Sequence, residues 1–522
     1  MKEFIPYEPQ IIINSSSPLD YIRAFLNDEI LLFLHKQTNK EVKKKKEKEM
    51  NIKELRYIKI TEIRMFIGLT IFMGIKKIPN FKRYWFTPAG VDNYLEESFI
   101  KEKMTHARYC EIRRYFRMTV FEPVETSNSS KIIKKTENII SAINKLFFAY
   151  YAPGREISID ETIYPFQGRV HVKTYNKDKP HPWGLKFYAA ANSKTGYVFA
   201  LKFYNGEKST LENTVMTLLT NIRHKNHEVY MDNFYNSYEI SLKLLESGVY
   251  VTGTLRKKRG GPKVMNVITK KTIPKKPLLP FKKGAVNVFI FNDKKIFTMI
   301  SMSQSIIQGE VAEAKQIKIQ DRLYSPLIIN PSTTTSIIKN YNYYMGGVDV
   351  HDQLLQTYTC RRQTTRWTFN FSIHLIETII LNSYILYKKN NGNNTLDHLD
   401  YQILVVNFLC GKVFKQPKSI ETKIPISLDG GSSVPEISNI GTLNSTCDII
   451  VGSELQLSNS HTPIVSKKYR RCIYCSSNQG RDSHTNVMCK ECNRGLCLNT
   501  SGRMCWFLYH DSFDKGNSES SE

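Results

Sequence analysis

The stretch Glu156-Ile157-Ser158-Ile159-Asp160-Glu161-Thr162-Ile163-Tyr164 decides how the rest of the chain is read. Its β-branched and aromatic residues read as a strand, and Pro153-Gly154 just before it ends the helical pattern upstream. Downstream, residues 185–192 and 196–204 read as two more strands, with the turn residues Asn192-Ser193-Lys194 between them. A helical pattern over 211–222 comes next, then the short strand Glu228-Val229-Tyr230-Met231, a helix through 240–245 and a last strand. Alternating strand and helix in this order brings distant residues to one sheet.

Upstream, residues 20–155 read as helical. Ile22, Phe25, Leu26, Ile30, Leu31 and Leu34 recur at helical spacing over 20–37. Thr61 is placed to cap the next helix and Thr136 to cap a helix over 137–151. Between the first two helices, Val42-Lys43-Lys44-Lys45-Lys46-Glu47-Lys48 reads as a solvated face, with phosphate contact or nuclear import as the functional alternative. Downstream, residues 259–337 interrupt the strand–helix order with a basic segment punctuated by Pro and Gly. It holds a hairpin over 285–302 that turns at Asn292-Asp293. Residues 368–387 are apolar on most faces, as in a deeply packed helix; His374 and Glu377 on it have the spacing of a metal pair but read better as a satisfied core pair. Residues 416–468 turn to Ser, Gly, Pro and Asn and read as a flexible linker.

Three strands, helix, strand, helix, strand is the order of an RNase H-like fold. The fold class expected is multidomain α/β. It comprises an RNase H-like core with an inserted β-rich subdomain, a split helical domain flanking that core, and a small C-terminal cysteine-rich zinc-binding domain. The corresponding boundaries are a short tail (1–19), the helical domain (20–155 and 358–415), the core (156–258 and 338–357), the insertion (259–337), the linker (416–468), the cysteine-rich domain (469–511) and a disordered end (512–522).

Composition narrows the function. With 74 Lys+Arg against 48 Asp+Glu, the net charge of +26 calls for an anionic partner, and nucleic acid is the usual one; a merely soluble chain or one at a membrane surface also reads basic. No segment supports a membrane span: residues 63–75 are too few, contain Arg64 and run into Lys76-Lys77. The N-terminus has no apolar signal core, and nothing suggests a small-molecule substrate.

Three motifs carry carboxylates at element ends: Ser158-Ile159-Asp160-Glu161, Met231-Asp232-Asn233, and Gly346-Gly347-Val348-Asp349-Val350-His351-Asp352-Gln353. Singly, Asp160 also suits a surface strand, Asp232 a turn and Asp349 a helix cap. On an RNase H-like core the first strand and the end of the fourth lie side by side, so Asp160 and Asp232 converge. The later helix then brings Asp349, with Asp352 on the same helix face. Clustered carboxylates repel unless a cation sits among them, and hard divalent ions favour oxygen ligands. The expected cofactor is therefore Mg²⁺ (or Mn²⁺), two per active site, able to activate a water or a 3′-hydroxyl for phosphoryl displacement.

The cysteine-rich end reads Cys472-x2-Cys475, Cys489-x2-Cys492, Cys497, Cys505 and His510. Pairs at this spacing in a large chain read as zinc ligands, and a cross-braced arrangement would hold two Zn²⁺. One site would take Cys472, Cys475 and Cys497, the other Cys489, Cys492, Cys505 and His510. The eighth ligand is open, His484 being the nearest candidate. The preceding Lys467-Lys468-Tyr469-Arg470-Arg471 suits nuclear import or DNA backbone contact, and a nuclear location is expected.

Together with Met231-Asp232-Asn233-Phe234-Tyr235-Asn236-Ser237 and Arg366-Trp367, these motifs resemble the piggyBac transposases, over about residues 20 to 511. The resemblance implies a homodimeric DDE transposase that binds double-stranded DNA at terminal repeats, excises through hairpin ends and inserts at TTAA. It implies that the helical domain serves dimerisation and DNA binding, that Asp160, Asp232 and Asp349 are catalytic, and that Asp352 is a further metal-proximal aspartate. It also places Trp367 near the transferred strand, where a base can stack, although packing between helices is an equal reading of that residue. Arg361, Arg362 and Arg366 are the accompanying DNA-contact candidates. Unlike the family pattern, only about 19 residues precede the first helix, so a long acidic N-terminal tail is not expected. A domesticated DNA-binding relative without cutting activity is the alternative. A ubiquitin ligase or chromatin reader built on the zinc module would leave the aspartates and the charge unexplained.

Overall fold

The computed structural model describes residues 3–48, 56–90, 97–121, 128–261 (without 178, 180 and 207–209), 278–302 (without 293–294), 325–326, 331–411 (without 393–394), 463–478, 484–489 and 492–496. The chain forms two compact units, Met1–Ser432 and Ser433–Glu522. The expected linker over 416–468 lies outside the described residues as far as Thr462.

The first unit opens with helices α1 (Pro18–Phe25), α2 (Asp28–Lys48), α3 (Ile60–Ile75), α4 (Ser98–Lys103), α5 (His106–Tyr115) and α6 (Asn128–Tyr150). The single helix read over 20–37 is two helices, because the Asn27 side chain accepts from Ile30 N (3.0 Å) and starts α2 afresh. Thr136 is not a cap: it lies inside α6 and bonds back to Ile132 O (2.8 Å). Helix α3 starts one residue before Thr61, and Glu62 closes its first turn by accepting from Lys59 N (2.8 Å).

Strands β1 (Glu156–Pro165), β2 (Lys173–Tyr175), β3 (Trp183–Asn192) and β4 (Val198–Phe203) follow, then α7 (Leu211–Leu218), β5 (Glu228–Met231), α8 (Tyr238–Glu246) and β6 (Tyr250–Leu255). β1 pairs antiparallel with β3 and parallel with β5, and β5 pairs parallel with β6. β2 and β4 share the outer edge of β3. The strand order through the centre is therefore β4-β3-β1-β5-β6.

Among its described strands, the inserted segment does not form a separate sheet. Its strands β7 (Leu278–Lys283), β8 (Val286–Asn292) and β9 (Ile296–Ser301), with the short β10 (Ser325–Pro326), continue the same sheet in the order β6-β9-β8-β7-β10. β6 otherwise ends the sheet, and pairing β9 along it satisfies a row of backbone groups that an edge would leave open. The hairpin read over 285–302 is β8 and β9, paired from Asn292↔Ile296 to Val288↔Ile300; Asp293 lies outside the described residues.

Helices α9 (Pro331–Tyr344), α10 (Gly347–Thr357), α11 (Trp367–Asn391) and α12 (His398–Leu409) complete the unit. From Thr368 to Tyr387 every residue of α11 is buried, against α1, α10, α12 and β1. Among the described residues it is the one helix long and apolar enough to cross a membrane, and its apolar stretch is buried in protein, while Lys388–Asn390 at its end are exposed. His374 lies between the rings of Tyr164 (4.9 Å) and Phe187 (4.5 Å), with its pKa lowered to about 3 by burial. Glu377 accepts from Cys360 N and from Thr359 Oγ1 (3.0 Å), whereas neither ring nitrogen of His374 has a hydrogen-bond partner among the described residues. Both residues belong to the core, but only Glu377 is hydrogen-bonded, so the pair is not the fully satisfied one expected.

The second unit contains β11 (Pro463–Arg471), α13 (Ile473–Asn478) and β12 (His484–Cys489), the two strands antiparallel. Its small core is Cys472, Cys475, Cys489 and Leu496, with Cys492 against it.

Candidate active site

The register of the sheet explains why separate motifs meet. Ile159 of β1 lies opposite Met231 of β5, so Asp160 and Asp232 are the next residues along two neighbouring parallel strands. β5 ends there, and the chain turns because the Asp232 carboxylate accepts from Phe234 N (2.8 Å) and Tyr235 N (3.4 Å). The buried Asn236 secures the turn, donating to Thr254 O (3.1 Å) and accepting from Ser241 Oγ (2.9 Å), and Ser237 then caps α8. Helix α10 packs along β1 and β3 with Val348, His351 and Leu355 buried, and Asp349 and Asp352 lie on the same helix one turn apart. Thr162 of β1 donates to Asp352 Oδ1 (2.5 Å), tying helix to strand.

The close approach of α10 depends on one glycine. A Cβ on Gly347 would lie 2.5 Å from Ser158 Oγ, 2.9 Å from Asn192 O and 2.9 Å from Ser193 Cα, whereas a Cβ on Gly346 would meet nothing within 4 Å. His351 Nδ1 and Gly196 O, 2.9 Å apart, fix the opposite side of the helix to the β3–β4 turn.

Lys179, in the loop between β2 and β3, reaches into this cluster. Its Nζ is 3.7 Å from Asp349 Oδ1. Burial works against its charge, but Asp160, Asp352, Asp349 and Glu161 together hold its pKa above the ordinary value. Burial pushes Asp160 up to about 7, with Glu161 and Asp349 adding to the rise and the Glu161 N–H and Lys179 opposing it. Asp352 is likewise pushed up to about 7 by burial, against the Thr162 hydroxyl and Lys179. Asp232 is raised by burial and partly relieved by its two backbone donors. Glu161 accepts from Tyr235 Oη (2.7 Å) and Asn176 Nδ2 (3.3 Å), and Lys186 Nζ stands 3.8 Å away. Among the described residues, no three carboxylate, imidazole or thiolate groups stand close enough to form a finished metal shell. The four carboxylates instead share the field of one ammonium.

A family model described as Transposase IS4 matches residues 17–384, well over half of the chain. The chain belongs to the piggyBac-type transposase family. It is 22% identical to human PiggyBac transposable element-derived protein 3 over 506 residues, covering 93% of this chain and 75% of that protein. Human PiggyBac transposable element-derived protein 5 is 20% identical, covering 72% of each. The fold matches the piggyBac transposase in its synaptic complex with hairpin DNA, with a TM-score of 0.62, 21% identity, and coverage of 94% of this chain and 97% of that one.

In this transposase-family chain, two expected DNA contacts are turned inward. Arg362 donates to Ile78 O (2.5 Å), Met73 O (3.1 Å) and Tyr84 Oη (2.9 Å). Arg366 donates to the carbonyls of Arg113 (2.8 Å), Arg114 and Phe116 (3.2 Å), with Glu41 at 3.8 Å. Each guanidinium thus caps the carboxyl end of a helix, α3 or α5, where main-chain oxygens lack helical partners. Trp367 packs its ring against Phe203 (6.2 Å, 6° between planes) and Phe371 (6.1 Å), the packing alternative. Arg361 remains half-exposed. Cys472, Cys475, Cys489 and Cys492 share one cluster, and Cys489 Sγ accepts from Cys492 N (3.4 Å); His484 is exposed on β12, and Cys497, Cys505 and His510 lie outside the described residues. The sequence reading missed Lys179, which sits among basic residues at 173, 177 and 186 with nothing local to single it out. Glu161 was visible in its motif but not as a member of the site.

Proposed function

We propose that this piggyBac-type protein is an active DDE transposase, built on an RNase H-like core. It binds double-stranded DNA at transposon ends, cleaves through hairpin ends and inserts at TTAA, working as a homodimer in the nucleus. The observation that carries the reading is geometric: Asp160 and Asp232 follow paired residues of two neighbouring parallel strands, Asp352 is tied to Thr162 of β1, and Asp349 lies 3.7 Å from the Lys179 ammonium. A cation already lies within the field of these carboxylates, and an all-oxygen donor set of this charge suits Mg²⁺ or Mn²⁺. Asp160, Asp232, Asp349 and Asp352 would hold two such ions. Bound there, the metal supplies activation of a water or 3′-hydroxyl and stabilises charge on the leaving oxygen of a phosphoryl displacement.

The remaining work falls to the chain. Gly347 lets α10 press its aspartates against the sheet, and Thr162 fixes the Asp352 carboxylate. Tyr235, Asn176 and Lys186 hold Glu161 beside the site. The positive surplus supplies phosphate contacts and steers DNA to the protein. In the second unit, the Cys472/Cys475 and Cys489/Cys492 thiol pairs, packed in one small core, suit zinc by their donor chemistry and spacing, and an N–H donated to a cysteine sulfur is the kind of outer contact that orients a ligand.

Asp160→Ala, Asp232→Ala and Asp349→Ala are each expected to abolish cleavage of transposon-end DNA in Mg²⁺ while gel shifts show nearly unchanged binding. Robust cutting by any one of them removes that residue from the triad. Binding without cutting by the unaltered protein would favour the domesticated alternative, against which the presence of all three aspartates argues.

A further inference from the structure

The β2–β3 hairpin carries a feature that the carboxylate site does not use. Tyr175 and Trp183 lie directly opposite each other across the two strands, so both side chains leave the same face. Their ring centroids are 4.8 Å apart at 53°, and both are unusually exposed, 59% and 47%. Lys173 Nζ sits 4.6 Å from the Trp183 ring centroid. Exposed single aromatics are ordinary on protein surfaces, but a touching pair framed by cations is a recognisable combination. Lys177 and His181, in the loop joining the strands, are exposed, and Arg361 is close enough to push the His181 pKa down after burial.

The pair is also placed in relation to the carboxylates. Ala189 of β3 faces Asp160, and Trp183 lies six residues earlier, so the alternation of the strand puts it on the same sheet face as Asp160. Six residues of strand span about 20 Å, which is about six nucleotides of duplex rise. The loop between Tyr175 and Trp183 is the one that delivers Lys179 to Asp349 and Asn176 to Glu161. Whatever occupies the aromatic pair is therefore mechanically linked to the carboxylate cluster.

We propose that Tyr175 and Trp183 form a stacking platform for an unpaired nucleobase of DNA, set on the sheet face that leads to Asp160. This rests on the DNA-processing reading above. An aromatic face accepts any base, and Lys173, Lys177 and Arg361 supply the complementary charge for the adjoining phosphates. A partner without regularly spaced negative charge would leave this cationic frame without a counterpart.

The test uses the full chain and two DNAs of identical duplex sequence, one blunt and one with a single-stranded extension of several nucleotides carrying 2-aminopurine at successive positions. The unaltered protein is expected to quench 2-aminopurine most strongly within about six nucleotides of the junction. Trp183→Ala and Tyr175→Ala should abolish that quenching and weaken binding of the extended DNA about 5- to 100-fold, leaving blunt-duplex binding unchanged. Trp183→Phe should restore most of the difference, since it keeps a stacking face. Equal weakening on both DNAs, or none on either, overturns the platform. So does a change in sedimentation with Trp183→Ala, which would assign the pair to a contact between copies. Failure of the unaltered protein to bind either DNA would instead count against the DNA-processing reading itself.

Discussion

Gly347→Ala isolates the geometric demand on the site, because the added atom lies outside the carboxylate cluster. The new Cβ would meet Ser158 Oγ at 2.5 Å and Asn192 O at 2.9 Å, where ordinary contact begins at 3.4 Å. The start of α10 must then retreat by about 0.5 to 0.9 Å, the shortfall in the two contacts. A helix moves as a rigid piece over two turns, so Asp349 and Asp352 shift with it. A misplacement near 1 Å costs on the order of 100-fold in rate, and overpacking of this kind costs about 1–3 kcal/mol of stability. Strand cleavage should fall about 100-fold with only a modest loss in melting temperature. Gly346→Ala is the control: its Cβ has open space, its φ of −81° suits any residue, and it should behave as the parent does. Adding Ser158→Ala to Gly347→Ala removes the closest contact but leaves the Asn192 carbonyl, so part of the lost rate should return. If Gly347→Ala cleaves as fast as Gly346→Ala, the close approach of α10 does not set the catalytic geometry.

Metal affinity should depend on pH, because burial pushes both Asp160 and Asp352 up to about 7. Protons compete with the metal below that value, so Mn²⁺ binding followed by calorimetry should tighten from pH 6 to pH 7.5, by up to about tenfold per unit for each proton released, then level off. The same shifts make the metal-free fold lose their stabilising contribution as pH rises from about 4 towards 7, since the folded state holds protons that the unfolded chain gives up. Lys179→Met removes the cation beside Asp349 and should tighten Mn²⁺ binding about tenfold at pH 8; weaker binding would mean that Lys179 supports the metal rather than competes with it. Metal analysis of the full chain should return two zincs, and Cys489→Ser should unfold the second unit as judged by proteolysis. One zinc, with Cys497 and Cys505 dispensable, would reduce the module to a ribbon of four cysteines.

Most of the core was legible because each of its signals is local. Strand alternation, the Asp232 turn and the unbroken apolar run of α11 are written in adjacent residues, and the parallel register then brings Asp160 and Asp232 together. The glycine pair was readable as a feature, but the structure separates its members: Gly347 is crowded by β1 and the turn after β3, while Gly346 is free. What could not be read depends on partners far along the chain. Nothing near Asn27 says that its side chain, rather than the apolar pattern running through it, decides where α2 begins. Nothing in β7, β8 and β9 says that they will join β6 instead of closing on themselves.

The arginines make the same point for function. A sequence records that Arg361, Arg362 and Arg366 carry charge next to a motif expected to meet DNA, and charge density is what nucleic-acid contact is read from. Where the guanidinium donors go is set by unsatisfied acceptors, and the ends of α3 and α5 present carbonyl oxygens that burial would leave without water. Five fixed donors on a planar group can meet several such oxygens at once, which a lysine cannot. Two of the three arginines therefore fasten the loop before α11 to the N-terminal helices, about 250 to 290 residues away in sequence. Under the proposed transposase function, any contribution of these two arginines would run through the position of α11 and its neighbours. Substituting either should loosen the join between the two helical segments before it alters any phosphate contact.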